Sequence, residues 1–391
     1  MSTSHTMRRA IDSELRNHFA TYKQAMILLG ARQVGKTTLL RRLFPHALYL
    51  LVDEEPIRSA LETYSMQVYK QLIGNAQQII IDEIHLLSNP GRAVKILHDN
   101  DASLQIMVTG SSSLHIRNTT SESMAGRSIF YHLYPLSYGE YLYQTGAEKK
   151  MTNTIFDKIR TQDTRESIKR YDSTSLLENV LLYGLYPNIL SLPRDTKYLR
   201  NLATTAVFKD ITELHLIDNK TKAQELLRIL AYQIGNLINY NELSNKLGIS
   251  ANTIKRYVDI FEQSFLIYRL PPFTKNRRDE IGKAAKIYFW DLGLRNAIIN
   301  NFDKPDVRPD AGAIFENFVV SEVKKAIAYT NSNYTVHYWR LKSGSEVDMV
   351  LQNNREIIGC EIKLHGGKLS RAFSNRYPEA KTHVVTAHNL L

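Results

Sequence analysis

The chain has 391 residues, 43% of them apolar, which suffices for two or three domains that each bury a core. Its 50 Lys+Arg outnumber its 39 Asp+Glu, and the resulting net charge of +11 favours polyanionic partners such as DNA, RNA or acidic surfaces. No stretch approaches the ~20 apolar residues of a membrane span, Met1 to Ala20 lacks the apolar centre of a signal peptide, and Cys360 as lone cysteine excludes an internal disulfide, so no membrane partner and a cytoplasmic setting are expected.

Ala25-Met26-Ile27-Leu28-Leu29 is a short apolar run suited to a buried strand, and Thr37 to Leu43 follows as a helix. Between and into them runs Gly30-Ala31-Arg32-Gln33-Val34-Gly35-Lys36-Thr37. Two glycines bracket a loop whose N–H groups can turn around the phosphates of ATP, Lys36 reaches the β- and γ-phosphates, and the Thr37 hydroxyl ligates Mg²⁺. Four more apolar runs follow, over Ala47 to Val52, Gln78 to Ile81, Leu104 to Val108 and Ser128 to Leu133. Helical patterns at about Ile57 to Ile73 and Arg92 to His98 alternate with them, which predicts an α/β domain with a doubly wound parallel sheet.

Two strand ends carry chemistry. After Gln78-Ile79-Ile80-Ile81, Asp82 is suited to the Mg²⁺ shell and Glu83 to orienting or deprotonating the attacking water. The next run ends in Thr109-Gly110-Ser111-Ser112-Ser113, whose hydroxyls, Ser111 first, can contact the γ-phosphate or the water; a plain Ser-rich turn is the alternative. Arg127 stands just before the fifth strand.

These stretches, with Gly30 to Thr38, Ile79 to His85, Thr109 to Leu114, Glu122 to Arg127 and Leu133 to Tyr138, resemble AAA+ ATPases. The closer resemblance is to a bacterial and archaeal family whose ATPase domain precedes a conserved domain of uncertain role. It implies a sheet ordered 5-1-4-3-2 and an arginine finger at Arg127. Such a finger acts on a neighbouring subunit's nucleotide, which implies a homo-oligomer with nucleotide at its interfaces. Asp82-Glu83-Ile84-His85 also resembles the box of two-lobed helicases, but the chain shows no second nucleotide-binding lobe.

Residues 148–218 read as a polar helical lid or connector broken by the turn Leu182 to Pro187. A helix over Ala223 to Ile238 then precedes Tyr240 to Gly248, closed by glycine, and Ala251 to Phe261, capped by Ser250. Ile254, Val258 and Phe261 share one face. This predicts a winged helix-turn-helix with Leu266 to Leu270 as first wing strand. Asn252, Thr253, Lys255 and Arg256 would face DNA, aided by Lys275, Arg277 and Arg278 in the wing; docking of a protein is the alternative use.

The last region holds an amphipathic helix over Phe315 to Val323 and three strands, Val336 to Arg340, Glu346 to Leu351 and Ile357 to Lys363, the last two joined at Asn353-Asn354. Alternation puts Glu346 and Asp348 on one face and Glu361 and Lys363 on one face. If the strands pair, Asp348, Glu361 and Lys363 converge: two carboxylates for Mg²⁺ (or Mn²⁺) and an ammonium to position water. The arrangement resembles the restriction-endonuclease-like superfamily, in which an acid is followed by Glu-x-Lys on the next strand. That resemblance adds Glu316 as a helix-borne metal ligand. The proline usual before the first acid is missing, and some superfamily members bind DNA without cutting it. Cys360 points to the opposite face, and His337 and His365 lack metal-ligand spacing.

The expected organisation is an ATPase core over 1–147, a connector over 148–218, a winged helix over 219–280 and a nuclease-like α/β domain over 281–391. The expected activity is ATP-driven binding and remodelling of duplex or branched DNA, with metal-dependent cleavage. The rivals are a nucleotide-gated regulatory scaffold and a DNA-binding ATPase whose nuclease fold is inert.

Overall fold

The computed structural model describes residues 7–111, 124–152, 154–162, 172–206, 217–274, 284–341, 344–367 and 371–390. The chain forms two compact units, Met1–Pro135 with Gln263–Phe265, and Leu136–Glu262 with Leu266–Leu391. No helix among the described residues is long and apolar enough to cross a membrane.

In the first unit, β1 (Ala25–Leu29), β2 (Leu48–Leu51), β3 (Gln78–Asp82), β4 (Gln105–Gly110) and β5 (Ser128–His132) form one sheet in the order β2-β3-β4-β1-β5. Every neighbouring pair is parallel. The order is the expected 5-1-4-3-2 read from the other edge. All five residues of β1 are buried, as a central parallel strand covered on both faces requires. The single helix expected over Ile57 to Ile73 is two, Glu55–Glu62 and Met66–Ile73. Tyr64 takes φ +50° between them, a left-handed conformation that no helix continues through. The break is held by the Tyr69 hydroxyl, which donates to the Leu61 carbonyl at 2.6 Å.

In the second unit, helices Lys220–Tyr232, Tyr240–Leu247 and Ala251–Gln263 precede β6 (Ile267–Leu270) and β7 (Lys286–Phe289), which pair antiparallel. Asn219 and Asn239 cap the first two helices, and Gly248 closes the second in the left-handed region. Ser250 accepts from the Thr253 N–H at 3.1 Å, the cap read from the sequence. The first of these helices stops six residues short of the expected Ile238. Gly235, at φ +74°, turns the chain so that its N–H donates to Ile287 and Leu237 bridges Lys286. A short extended segment thus lies along β7 in place of a last helical turn.

Helix Ala311–Tyr329 leads to β8 (Thr335–Arg340), β9 (Glu346–Gln352), β10 (Ile357–Ile362) and β11 (Lys381–Val385), a sheet in the order β11-β10-β9-β8. β8, β9 and β10 run antiparallel, and β11 is parallel to β10. The expected three strands are therefore four. The β9–β10 turn lies where expected, with Asn353 Oδ1 accepting from the N–H groups of Arg355 and Glu356 at 2.8 and 2.9 Å. Phe273, Trp339, Val347, Val350, Phe373 and Tyr377 pack as the core against this sheet.

Gly359 on β10 leaves room for the Phe373 ring, which is fully buried; a Cβ there would stand 2.5 Å from the ring edge. Gly359→Ala is expected to destabilise the second unit by about 1–3 kcal/mol through overpacking. A lowered midpoint in circular-dichroism melts checks this, and an unchanged midpoint contradicts it.

Candidate nucleotide site and carboxylate cluster

β1 ends in the loop from Gly30 to Gly35, and the helix Lys36–Leu43 starts directly after it. A side chain at Gly30 would overlap the Leu133 carbonyl oxygen, so only glycine fits. Gln33 at φ +62° and Gly35 at φ +94° give the loop the left-handed turns from which successive N–H groups can form an anion receptor ahead of a helix. Lys36 is buried and donates from Nζ to the Gly30 and Ala31 carbonyls at 2.9 and 3.0 Å. Of the other loop residues Ala31 and Val34 are buried, Arg32 is half-buried, and Gln33 and Thr38 are exposed.

Asp82, at the end of β3, gathers the site. Thr37 Oγ1 and the Tyr49 hydroxyl donate to Oδ2 at 2.7 and 2.6 Å, and Thr109 Oγ1 donates to Oδ1. Burial first, and then the Asp82 carboxylate, push the Tyr49 phenol far above its usual range, so it stays a donor. Glu83 follows in the left-handed region, φ +57°, with its N–H donating to Thr109 Oγ1 at 3.2 Å. Its Oε2 lies 3.2 Å from His85 Nδ1, and His85 Nε2 lies 3.3 Å from Ser111 Oγ. The Thr37 hydroxyl beside the Asp82 carboxylate is the hard-oxygen donor set that suits Mg²⁺. A cation held there would neutralise phosphate charge.

Arg127 is where the sequence placed it, and its Nε donates to Asp99 Oδ1 at 2.7 Å on the exposed edge of the same unit. That bond lowers the Asp99 carboxyl and raises the guanidinium. Arg9 was not anticipated. Its guanidinium is 3% exposed and donates to Val34 O in the phosphate loop at 2.9 Å and to Tyr134 O at 2.7 Å. Nothing in the mixed-charge N-terminus distinguishes Arg9 from Arg8 or Arg16, because its partners lie 25 and 125 residues away.

In the second unit Asp348, Glu361 and Lys363 do meet. Lys363 Nζ lies 3.1 Å from Asp348 Oδ2 and 2.9 Å from Glu361 Oε1, and the Ile362 N–H donates to Asp348 Oδ2 at 2.8 Å. Asp348 is only 6% exposed, so this is no solvated strand face. Glu361 Oε2 is buried without a hydrogen-bond partner. Burial, and then the Asp348 charge, raise the Glu361 carboxyl; burial opposes the Lys363 charge, but Glu361 and Asp348 outweigh it and raise that ammonium.

Glu316 is engaged differently from expectation. Lys286 Nζ at 3.0 Å and the Tyr288 hydroxyl at 2.5 Å both donate to its Oε1, and Lys286 also pairs with Glu346. Burial raises the Glu316 carboxyl, Lys286 opposes this, and Asp348 adds to it, so the two groups of acids feel one another. Among the described residues no three or more His, Cys, Asp or Glu gather as a metal cage. Of the expected set Glu316, Asp348 and Glu361, the first pairs with the buried Lys286 and the other two pair with Lys363. Asp348 and Glu361 alone still fit Mg²⁺, which keeps much of its water and commonly takes one or two carboxylates. Lys286 and Tyr288 escaped notice because Lys286-Ile287-Tyr288-Phe289 reads as an ordinary strand until its partner helix is known.

On helix Ala251–Gln263, Ile254, Val258 and Phe261 are buried while Asn252, Lys255 and Arg256 are exposed and Thr253 is half-buried. Lys255 lies over the Tyr240 ring and Arg256 pairs with Asp218. Lys275, Arg277, Arg278, Ser112, Ser113 and Glu122 lie outside the described residues.

Residues 22–142 match the family described as an AAA domain. The stretch holding the phosphate loop, Asp82, Glu83, Ser111 and Arg127 is thus similar to AAA-type ATPases. Residues 174–305 and 311–389 match families described as domains of unknown function, DUF8612 and DUF4143. An uncharacterized protein of Methanocaldococcus jannaschii is 27% identical over 301 residues, covering 71% of this chain and 62% of the relative. An uncharacterized protein of Mycobacterium tuberculosis is 23% identical over 359 residues, covering 90% of this chain and 73% of the relative. Among solved structures, the Walker-type ATPase of Pyrococcus abyssi matches at 13% identity with TM-score 0.46, over 73% of this chain and 94% of that one.

Arg9→Met in the AAA-like unit removes the donor that Val34 O and Tyr134 O share, an expected cost of about 1–3 kcal/mol, and loosens the phosphate loop. Nucleotide binding should weaken roughly tenfold in titrations with a fluorescent ATP analogue, with Arg9→Lys recovering only part because an ammonium lacks the planar fork. Wild-type affinity in Arg9→Met would show that the loop holds its shape without this contact.

Proposed function

We propose that this chain is an oligomeric ATPase that binds DNA and cleaves it at a metal-dependent site. Lys36 and the loop N–H groups hold the ATP phosphates, Thr37 and Asp82 hold Mg²⁺, Glu83 orients or deprotonates the attacking water, and Ser111 contacts the γ-phosphate. Arg127 of one subunit neutralises charge developing on its neighbour's γ-phosphoryl group. In the second unit, the three helices followed by β6, which pairs with β7 just beyond residue 280, support reading 219–280 as a winged helix. Its exposed Asn252, Lys255 and Arg256, joined by Thr253, Lys275, Arg277 and Arg278, would contact DNA. Residues 1–147 act as the ATPase core, 148–218 as the connector and 281–391 as the nuclease-like domain.

The observation that carries cleavage is the Lys363 ammonium bonded to both Asp348 and Glu361, with Glu361 Oε2 left unpartnered beside them. A divalent ion, Mg²⁺ or Mn²⁺, would polarise a phosphodiester there. Asp348 and Glu361 would hold it, and Lys363 would position water and offset charge on the reacting phosphate. One observation favours a second reading: Lys286 already neutralises Glu316, as befits a DNA-binding ATPase with an inert nuclease fold.

Labelled duplex and branched DNA, incubated with the protein, ATP and Mg²⁺ or Mn²⁺, decides between them. Cleavage is expected, reduced about 100-fold or more in Asp348→Ala and Lys363→Ala. Because the Glu361 carboxyl is raised above its usual 4.5, a proton competes with metal to higher pH than at an ordinary glutamate, and cleavage should fade on the acid side from above that value. DNA binding without cleavage selects the second reading; no binding at low salt selects a regulatory scaffold. For the ATPase, Lys36→Ala should abolish turnover and Glu83→Gln should bind ATP yet hydrolyse it about 100-fold more slowly. Arg127→Ala should lose at least as much, and mixing it with Lys36→Ala should restore part of the rate. Absence of restoration would remove the finger acting between subunits.

A further inference from the structure

One imidazole stands between the Glu83 carboxylate and the end of the neighbouring strand. His85 is 5% exposed and stands in the tight turn Ile84–Leu86 after β3, while Ser111 immediately follows β4. The ring spans the gap, Nδ1 being 3.2 Å from Glu83 Oε2 and Nε2 3.3 Å from Ser111 Oγ. The main chain on both sides is fixed. Glu83 N–H is bonded to Thr109, Leu86 N–H donates to Glu83 O at 3.0 Å, and β3 pairs with β4 in parallel. The Glu83 side chain is 28% exposed and set on a left-handed residue.

A neutral imidazole offers one donor and one acceptor nitrogen. With the proton on Nδ1 the ring turns its N–H toward the Glu83 carboxylate, 3.2 Å away but outside hydrogen-bond geometry as it stands, and accepts from the Ser111 hydroxyl. That hydroxyl has a single proton. Given to a γ-phosphoryl oxygen, it is withdrawn from Nε2, and the ring's hold on Glu83 changes with it. We propose that His85 is a positioning residue that couples the contact made by Ser111 to the orientation of Glu83, so that the hydrolytic carboxylate responds to the presence of the γ-phosphate. This rests on the roles given above to Glu83 and Ser111.

The test uses the full chain with His85→Asn, whose amide nitrogen approximates Nδ1, and His85→Gln, whose amide approximates Nε2. Melting curves establish that each variant folds. Because His85 touches no phosphate in this scheme, affinity for a non-hydrolysable ATP analogue should stay within about threefold of wild type, whereas kcat falls about tenfold or more, a split that a general loss of structure would not give. His85→Asn should lose less than His85→Gln, since it keeps the link to Glu83. In single-turnover assays His85→Gln should cost nothing further in a Glu83→Gln background, and Ser111→Ala should be non-additive with His85→Gln. Wild-type kcat in both His85 variants, or full additivity with Glu83→Gln, overturns the coupling. Glu83→Gln turning over at the wild-type rate would instead remove the parent reading of Glu83, whatever the His85 variants do.

Discussion

Three hydroxyls from three different elements end on one buried carboxylate. Thr37 at the head of the helix after the phosphate loop, Tyr49 on β2 and Thr109 on β4 all donate to Asp82 at the tip of β3. An unpaired charge at this depth would be prohibitive, and three hydroxyl groups without an acceptor would be costly as well. The pairing therefore sets the relative heights of β2, β3 and β4 and of the helix that follows the phosphate loop. Glu83 hangs from the same point, its N–H bonded to the Thr109 oxygen that also reaches Asp82. The contacts that close the sheet edge and those that would bind Mg²⁺–nucleotide are one set of atoms.

The second unit handles buried charge by another rule. Its acids are matched to lysines: Asp348 and Glu361 to Lys363, Glu316 and Glu346 to Lys286. Burial nevertheless leaves Glu316 and Glu361 with raised carboxyl pKa values, so the pairing is incomplete compensation. The AAA-domain similarity over 22–142 bears on the first unit alone. For the second, the families matched are domains of unknown function, and the geometry of these pairs carries the functional argument.

What local pattern encodes was open to reading. The apolar pentapeptide Ala25 to Leu29, the glycines around Lys36 and the acids after Ile81 need only their own neighbours to be interpreted, since a central strand and a phosphate loop are dictated by short-range sterics and burial. Period-two alternation likewise predicted that Asp348, Glu361 and Lys363 would meet once β9 and β10 paired. Alternation cannot tell what approaches from another element. Lys286 pairing with Glu316, Arg9 gripping the phosphate loop and Tyr49 on Asp82 all depend on partners remote in the chain.

The division follows from range. The residues by themselves determined the phosphate loop, the parallel strands around it and the pairing of two acids with a lysine, because each follows from spacing within one element or one hairpin. Only the tertiary structure decided the left-handed break at Tyr64, the addition of β11 beside β10, the division of the acids between two lysines and the ring of His85 set between Glu83 and Ser111. Those contacts join groups whose meeting depends on how strands and helices pack, and packing is a property of the whole fold.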